Sequence, residues 1–179
     1  MTVQTARLLL VAGTSELVTA ELDHEKEFAE RLQAEIPTNW PPPLNDEQTM
    51  KWCLRYFASH QDSEGWVNWY FVLKSQDDAA GVAVGNGGFR GKPTADGTVE
   101  VGYSILPQFQ NNGYASEAAG GLIEWAFSHS DVKRIIAETY PKLRGSIRVL
   151  EKNGFKLIGD GSDPGTVRYE RLPHCSGGL

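Results

Sequence analysis

Cysteine is scarce in this chain: Cys53 and Cys175 stand far apart, and no CxxC pair or Cys/His cluster of metal-binding spacing accompanies them. That excludes a disulfide framework and a structural zinc site and fits a reduced, cytoplasmic protein. Long apolar runs are missing too. The amino terminus, MTVQTARLLLVAGTSEL, gathers about seven apolar residues around Arg7 without a basic leader, and reads as neither signal peptide nor membrane span. Basic charge is short: 17 Lys and Arg face 23 Asp and Glu, a formal net charge of −6. A nucleic-acid or anionic-membrane partner would need the opposite balance. Neither GxxxxGK[ST] nor GxGxxG occurs, which removes the usual nucleotide loops. The four histidines, His24, His60, His129 and His174, share no spacing that favours a base or a ligand.

What is present is a globular composition, 40% apolar with five tryptophans over 179 residues, the size of one domain spanning 1–179. Ala6 to Val11 reads as a strand, and Thr14 or Ser15 caps a helix to about Gln33 with Leu17, Ala20, Leu22, Phe28 and Leu32 as its stripe. After the elbow IPTNWPPPL, Asn45 or Asp46 starts a second helix through Met50, Leu54 and Phe57. Strand-like runs follow at Trp66 to Lys74, Gly81 to Arg90 and Thr98 to Leu106, separated by the turns QDDAAG and GKPTADG. In the third run Val99, Val101, Tyr103 and Ile105 alternate with Glu100, Gly102 and Ser104, so Glu100 points away from the apolar set. A helix from about Ser116 to Ser130, a strand at Arg134 to Thr139, a helix ending before NGF and strands at Phe155 to Gly159 and Val167 to Arg171 complete a mixed-sheet α/β or α+β order.

The hexapeptide QNNGYA, Gln110 to Ala115, sits where a strand ends and a helix begins. Loop and helix-start N–H groups can converge there on an anion. Gly113 admits positive φ, Ala115 keeps the approach open and Ser116 can cap the helix, which suits a pyrophosphate. The ordinary alternative is a solvated loop.

The segment VEVGYSILPQFQNNGYASEA, followed by RIIAETYPKLRGSIRVLEKNGF, resembles the acetyl-CoA core of the GNAT N-acetyltransferases over about Thr98 to Gly159. QNNGYA matches the family's [QR]xxGx[GA] loop, and SIRVLEKNGF matches its helix and turn before the sixth strand. Together with ARLLL and EVGYSI, the wording is similar to the branch named for ribosomal-protein amino-terminal acetyltransferases. The resemblance implies a mixed, mostly antiparallel sheet of six to seven strands flanked by helices. It implies a splay between the fourth and fifth strands, Thr98 to Leu106 and Arg134 to Thr139. It further implies acetyl-CoA as co-substrate without a metal. Backbone groups of Ile105 and Leu106 would pair with the pantetheine, and Gln110, Asn111, Asn112, Gly113, Tyr114, Ala115 and Ser116 would hold the pyrophosphate. The implied reaction is direct acetyl transfer in a ternary complex to a primary amine, either a protein amino terminus or a small amine.

Such a transfer needs an uncharged nucleophile, and Glu100 is the candidate base, directly or through water; otherwise it is a solvated strand residue. The tyrosine that many relatives place four residues before the glycine of GF is Leu150 here. In the ribosomal-protein branch a serine near the helix start is proposed as acid, and Ser146 matches it, with a helix cap as the ordinary reading. Leu143 likewise replaces an asparagine that contacts the cofactor arm. These departures motivate an alternative, a non-catalytic CoA or acyl-CoA sensor.

Lys133, Arg134, Lys142, Arg144, Arg148, Lys152 and Lys156 cluster beside the cofactor half, some to meet the CoA 3′-phosphate. Nine acids between residues 16 and 47, Glu21 and Asp46 among them, form either a rim that steers a cationic amine or a solvated helix face. Trp40, Trp52, Tyr56, Trp66, Trp69 and Tyr70 are either acceptor-pocket walls or core. Gly120 and Gly121 inside a helix call for close packing on the sheet. Monomer and homodimer are both open.

Overall fold

The computed structural model describes residues 1–43, 45–75 and 79–173. Part of the QDDAAG turn, together with His174 and Cys175, lies outside the described residues. Strands β1 (Thr2–Gln4) and β2 (Leu8–Ala12) open the chain. The Thr14 hydroxyl accepts from the Leu17 N–H and starts α1 (Ser15–Asp23). The single helix expected to Gln33 is broken at His24, where φ is −147° and ψ 74°, and α2 (Glu25–Leu32) follows. No glycine or proline marks this break. It lets α2 fold back, so that Phe28 meets Tyr70 and Trp40 at ring-centroid distances of 5.2 and 5.8 Å.

After β3 (Ala34–Glu35), Asp46 caps α3 (Glu47–Ser59) by accepting from the Thr49 N–H at 2.8 Å. Then come β4 (Asn68–Leu73), β5 (Gly81–Phe89), β6 (Thr98–Ile105) and α4 (Tyr114–Phe127). Strand β7 (Arg134–Thr139), α5 (Arg144–Lys152), β8 (Lys156–Asp160) and β9 (Val167–Arg171) complete the chain.

The strands form one sheet in the order β1-β2-β4-β5-β6-β7-β9-β8, with β3 beside β5. All neighbours are antiparallel except β3 with β5 and β6 with β7. The sheet therefore has nine strands among the described residues, not six or seven. The additional two, β1 and β3, are three and two residues long, too short for alternation to be read. The expected fourth and fifth strands are β6 and β7.

Apolar residues cover both faces. Against one face, Ala118, Leu122, Ile123 and Ala126 of α4 pack on Leu8, Leu10, Trp69, Phe71, Val99 and Val101. On the other, Leu17, Val18, Phe28, Met50 and Cys53 pack on Tyr70, Val72 and Ala83. Gly121 is needed where α4 crosses the sheet: a Cβ there would stand 2.9 Å from Leu10 and 3.0 Å from Thr5. This closeness accounts for keeping glycine in a helix at about 1 kcal/mol relative to alanine. Gly120 faces Asn153, whose amide joins the two helices by donating to the Ser116 carbonyl at 3.1 Å.

Candidate active site

Strands β6 and β7 pair in parallel only at Thr98–Arg134, Val99–Ile135 and Glu100–Ile136. Beyond that, β6 stays with β5 as far as Ile105 and β7 stays with β9 as far as Thr139. The sheet therefore opens at one seam from Glu100 onward. The backbone on the β6 side alternates: the Arg90 N–H donates to the Glu100 carbonyl at 3.0 Å and the Leu106 N–H to the Val84 carbonyl at 2.9 Å. By that alternation, Val101, Tyr103 and Ile105 turn their backbone toward the opening.

This corrects one expectation. Both backbone groups of Leu106 are engaged, its carbonyl receiving the Phe109 N–H at 2.9 Å, so it does not offer a free pair to a ligand. The Ile105 carbonyl receives Gln110 Nε2 at 3.0 Å, which leaves its N–H facing the seam.

The QNNGYA loop lies at the far end of β6. Asn111 and Gly113 have φ of 64° and 84°, and α4 starts at Tyr114 with Gly113 as its N-cap and no side-chain cap bond. Ser116 is thus the third helical residue and not the cap. The first N–H groups of α4 are left for an anion, with Gly113 keeping the approach bare. Asn112 and Gln110 brace the loop: Asn112 Nδ2 donates to the carbonyls of Phe109 and Gln110 at 3.1 and 3.0 Å.

Arg7, unassigned by sequence reasoning, reaches over this loop. Its Nη1 donates to the Asn112 carbonyl at 3.0 Å, its Nε to Glu117 Oε2 at 2.8 Å, and the guanidinium lies 4.6 Å from the Tyr114 ring centre. Glu117 also accepts from the Thr5 hydroxyl and the Arg7 N–H, each at 2.6 Å. Burial pushes its carboxyl up, but these bonds prevail and hold it below the ordinary range. Only an arginine heading the run ARLLL signalled this role in the sequence.

Glu100 is the last β6 residue paired across the seam. Its side chain is 23% exposed and lies 3.1 Å from Arg90 Nε. Burial pushes its carboxyl up against the pull of Arg90, and the Glu138 charge adds to the rise. Glu138 in turn accepts from Arg168 at 2.7 Å and from the Ser162 N–H, and these bonds outweigh burial to bring it to about 2.

On the other face, the Tyr103 hydroxyl donates to the Ser146 carbonyl at 3.3 Å, joining β6 to α5, and burial pushes that phenol up to about 12. Ser146 is the third residue of α5, whose N-cap Leu143 makes no side-chain cap bond, so the cap reading of Ser146 does not hold. Leu150 is core, at 1% exposure, while Leu143 is exposed.

The charged clusters divide. Arg134 is taken up by Asp96, Thr98 and Glu170, whereas Arg144, Arg148, Lys152 and Lys156 lie exposed on α5 and β8. In the acidic stretch Glu21 is no rim residue: it accepts from Tyr70 at 2.6 Å, Trp40 Nε1 at 2.8 Å and Asn45 at 3.3 Å. Burial pushes its carboxyl up despite those bonds. Glu27 pairs with Arg31, Glu47 with Lys51, and Asp46 is a cap. Trp66, Trp69 and Tyr70 are buried core, the second of the two readings open to them, and Trp40 is half-buried against Phe28 and Tyr70. Cys53 is a buried free thiol, pushed up by burial to about 12.

A sheet parted at one parallel seam, with an uncapped helix start at the end of the parting, defines a class of protein that admits an extended ligand carrying an anionic end. Comparison makes the class specific. The family model described as an acetyltransferase (GNAT) domain matches residues 15–156. Uncharacterized N-acetyltransferase YjdG of Bacillus subtilis (strain 168) is 30% identical over 156 residues, covering 86% of this chain and 89% of that one. Uncharacterized N-acetyltransferase YnaD of the same organism is 30% identical over 124 residues, covering 64% and 70%. Among solved structures, a GNAT-family acetyltransferase from Bacillus anthracis superposes with a TM-score of 0.63 at 23% identity, covering 96% and 98% of the two chains. RimL, the ribosomal L7/L12 alpha-N-protein acetyltransferase in complex with coenzyme A, superposes with a TM-score of 0.64 at 18% identity, covering 96% and 98%. The chain belongs to the GNAT acetyltransferase family and is an N-acetyltransferase.

Proposed function

We propose that the protein moves the acetyl group of acetyl-CoA directly to a primary amine, a protein amino terminus or a small amine, within a ternary complex. The observation that carries this reading is the seam that opens after Glu100 and Ile136 and ends at the uncapped start of α4. The residues fit the co-substrate: an extended arm would lie along the free backbone edge at Tyr103 and Ile105, and a pyrophosphate would meet the N–H groups of Tyr114, Ala115 and Ser116. Asn111, Asn112 and Gln110 shape that loop, and Arg7 adds positive charge beside it.

Glu100 takes the proton of the attacking ammonium, directly or through one water. The freed amine then attacks: the new N–C bond forms as the thioester C–S bond breaks, and the leaving sulfur takes a proton for which Ser146 is the candidate donor, the serine recovering it from the second proton that the amine nitrogen sheds. The Ile105 N–H faces the seam as a donor toward the oxygen on which charge develops.

Acetyl-CoA-dependent release of free thiol across peptides and small amines tests the reading, together with a calorimetric titration of CoA. Turnover that Gly113→Val weakens through a raised acetyl-CoA KM is expected. Unchanged kinetics in that variant would remove the loop from the site, and failure to bind CoA would remove the reaction.

A further inference from the structure

Core packing fixes which side chains share a face at the seam. Val99 and Val101 of β6, Ile135 and Ala137 of β7 and Val167 and Tyr169 of β9 all pack into the core on the α4 side. Their neighbours Glu100, Glu138 and Arg168 therefore stand together on the opposite face. Glu100 is paired across the seam with Ile136, and Glu138 lies two residues, roughly 6–7 Å, further along β7, where that strand has parted from β6. Arg168 is directly opposite Glu138 on β9.

Glu138 commits its carboxylate to its own side of the opening. It accepts from Arg168 Nε and Nη2 at 2.9 and 2.7 Å, from the Ser162 N–H at 2.8 Å and from the Thr166 hydroxyl at 3.2 Å. Gly161 makes room for this arrangement, since a Cβ there would stand 2.6 Å from Glu138 Oε2 and 2.0 Å from Thr166 Oγ1. Burial pushes the Glu138 carboxyl up, but the bonds outweigh it and bring it to about 2, so this residue is an anion at neutral pH and no candidate base itself. The same bonds keep the Arg168 guanidinium engaged on β7 and away from Glu100.

Glu100 is faced by Arg90, 3.1 Å away just past the end of β5, by Glu138 on β7, by Arg168 on β9 and by Asp163 in the turn between β8 and β9. Glu170, the next residue of β9 on this face, pairs with Arg134, and Lys92 donates to the Gln61 carbonyl. Burial raises the proton affinity of Glu100 most, the two arginines lower it, and Glu138 and Asp163 raise it again. A base flanked by two uncompensated arginines would take a proton from an ammonium group less readily.

We propose that Glu138 is a positioning residue for the transfer: a fixed anion on the far strand of the seam that holds Arg168 and keeps Glu100 a competent base. This rests on the reading of Glu100 as the proton acceptor and deepens it. Glu138 acts through Glu100 and through the turn it gathers, without contact with the reacting atoms.

The test titrates the side-chain carboxyls of the protein labelled in its glutamates by NMR, with the Glu100 resonance identified by its loss in Glu100→Gln. This reads proton affinity without turnover. In Glu138→Gln the Glu100 titration should move to lower pH, because a like charge is lost and Arg168 is released. In Arg168→Gln it should move to higher pH, because an opposite charge is lost and Glu138 is left uncompensated. A role confined to holding the turn would move both variants the same way. A titration that stays in place or rises in Glu138→Gln overturns the proposal. Arg168→Gln carries the test alone if Glu138→Gln does not fold, and an unmoved or downward shift there has the same force.

The acid limb of kcat/KM should follow the two shifts. At one pH unit below the wild-type limb, Glu138→Gln should keep about twice the fraction of its own plateau that wild type keeps, with the acetyl-CoA KM unchanged. A resonance that shifts while the limb stays in place removes Glu100 as the base, and the positioning role with it. A resonance that stays in place removes Glu138 alone and leaves the acetyl-transfer reading standing.

Discussion

Arg7 and Glu117, 110 positions apart in the chain, are joined twice, by the Arg7 N–H at 2.6 Å and by its Nε at 2.8 Å. The pair ties the entry to β2 onto the first turn of α4, beside the loop that leads from β6 into that helix.

Removing the Arg7 side chain should therefore have two separable effects. Arg7→Ala keeps the backbone bond but loses the ion pair and the support of the Asn112 carbonyl. With Arg7 47% exposed, a stability loss of about 1 kcal/mol is expected. The acetyl-CoA KM should rise severalfold with kcat little changed, because the loop and not the reacting centre is disturbed. A melting curve and a KM measurement on the same sample check both, and a shifted melt with an unchanged KM would confine Arg7 to a structural role.

For Glu100, stability and activity should move in opposite directions. A carboxyl whose folded pKa is raised favours the fold less once pH exceeds its unfolded value, so Glu100→Gln should be neutral or slightly stabilising at pH 7. If Glu100 is the base, activity needs its ionised form, so wild-type kcat/KM should fall as pH drops through a value above 4.5, and the glutamine variant should lose both rate and that acid limb. A variant that retains the limb would assign it to another group.

Much of this arrangement was legible in the chain itself. Strands β7 and β9 coincide with the runs read as strands, and QNNGYA lies at a strand-to-helix junction because its glycine and small residues fit nothing else as well. The break at His24 was not legible, since its cause is the packing of Phe28 on distant rings. The closure of Leu106 by Val84 and Phe109 and the clamp of Arg7 on Glu117 depend on partners that no local pattern reveals. Glu21 illustrates the limit most plainly. Composition counts it among surface acids, but Trp40, Asn45 and Tyr70 turn it inward.

The proton donor to the leaving sulfur can be assigned by comparing two variants. Tyr103 touches Ser146 through the serine's carbonyl, so the phenol neither activates nor needs the serine hydroxyl. If Ser146 is the donor, Ser146→Ala should lower kcat about tenfold or more with KM unchanged, and Tyr103→Phe should cost only the roughly 1 kcal/mol of a single hydrogen bond in stability. The reverse pattern in single-turnover rates would move the role to Tyr103.

Glu138 sits two residues beyond Ile136 on β7 and gathers the 161–168 segment by accepting from the Ser162 N–H, the Thr166 hydroxyl and Arg168. These bonds outweigh burial and lower its carboxyl from 4.5 to about 2. Because the folded value is depressed, the stabilisation is fully present above the unfolded value and is lost as pH falls from about 4.5 toward 2. The shift caps this at about 3 kcal/mol at 1.36 kcal/mol per unit, and solvent screening along the hairpin reduces it to about 1–2 kcal/mol. Glu138→Gln should therefore unfold at lower denaturant than wild type at pH 7, with the gap closing steadily below pH 4.5. A gap as large at pH 2 as at pH 7 would mean that the glutamate acts through shape and hydrogen-bond count, with its charge irrelevant.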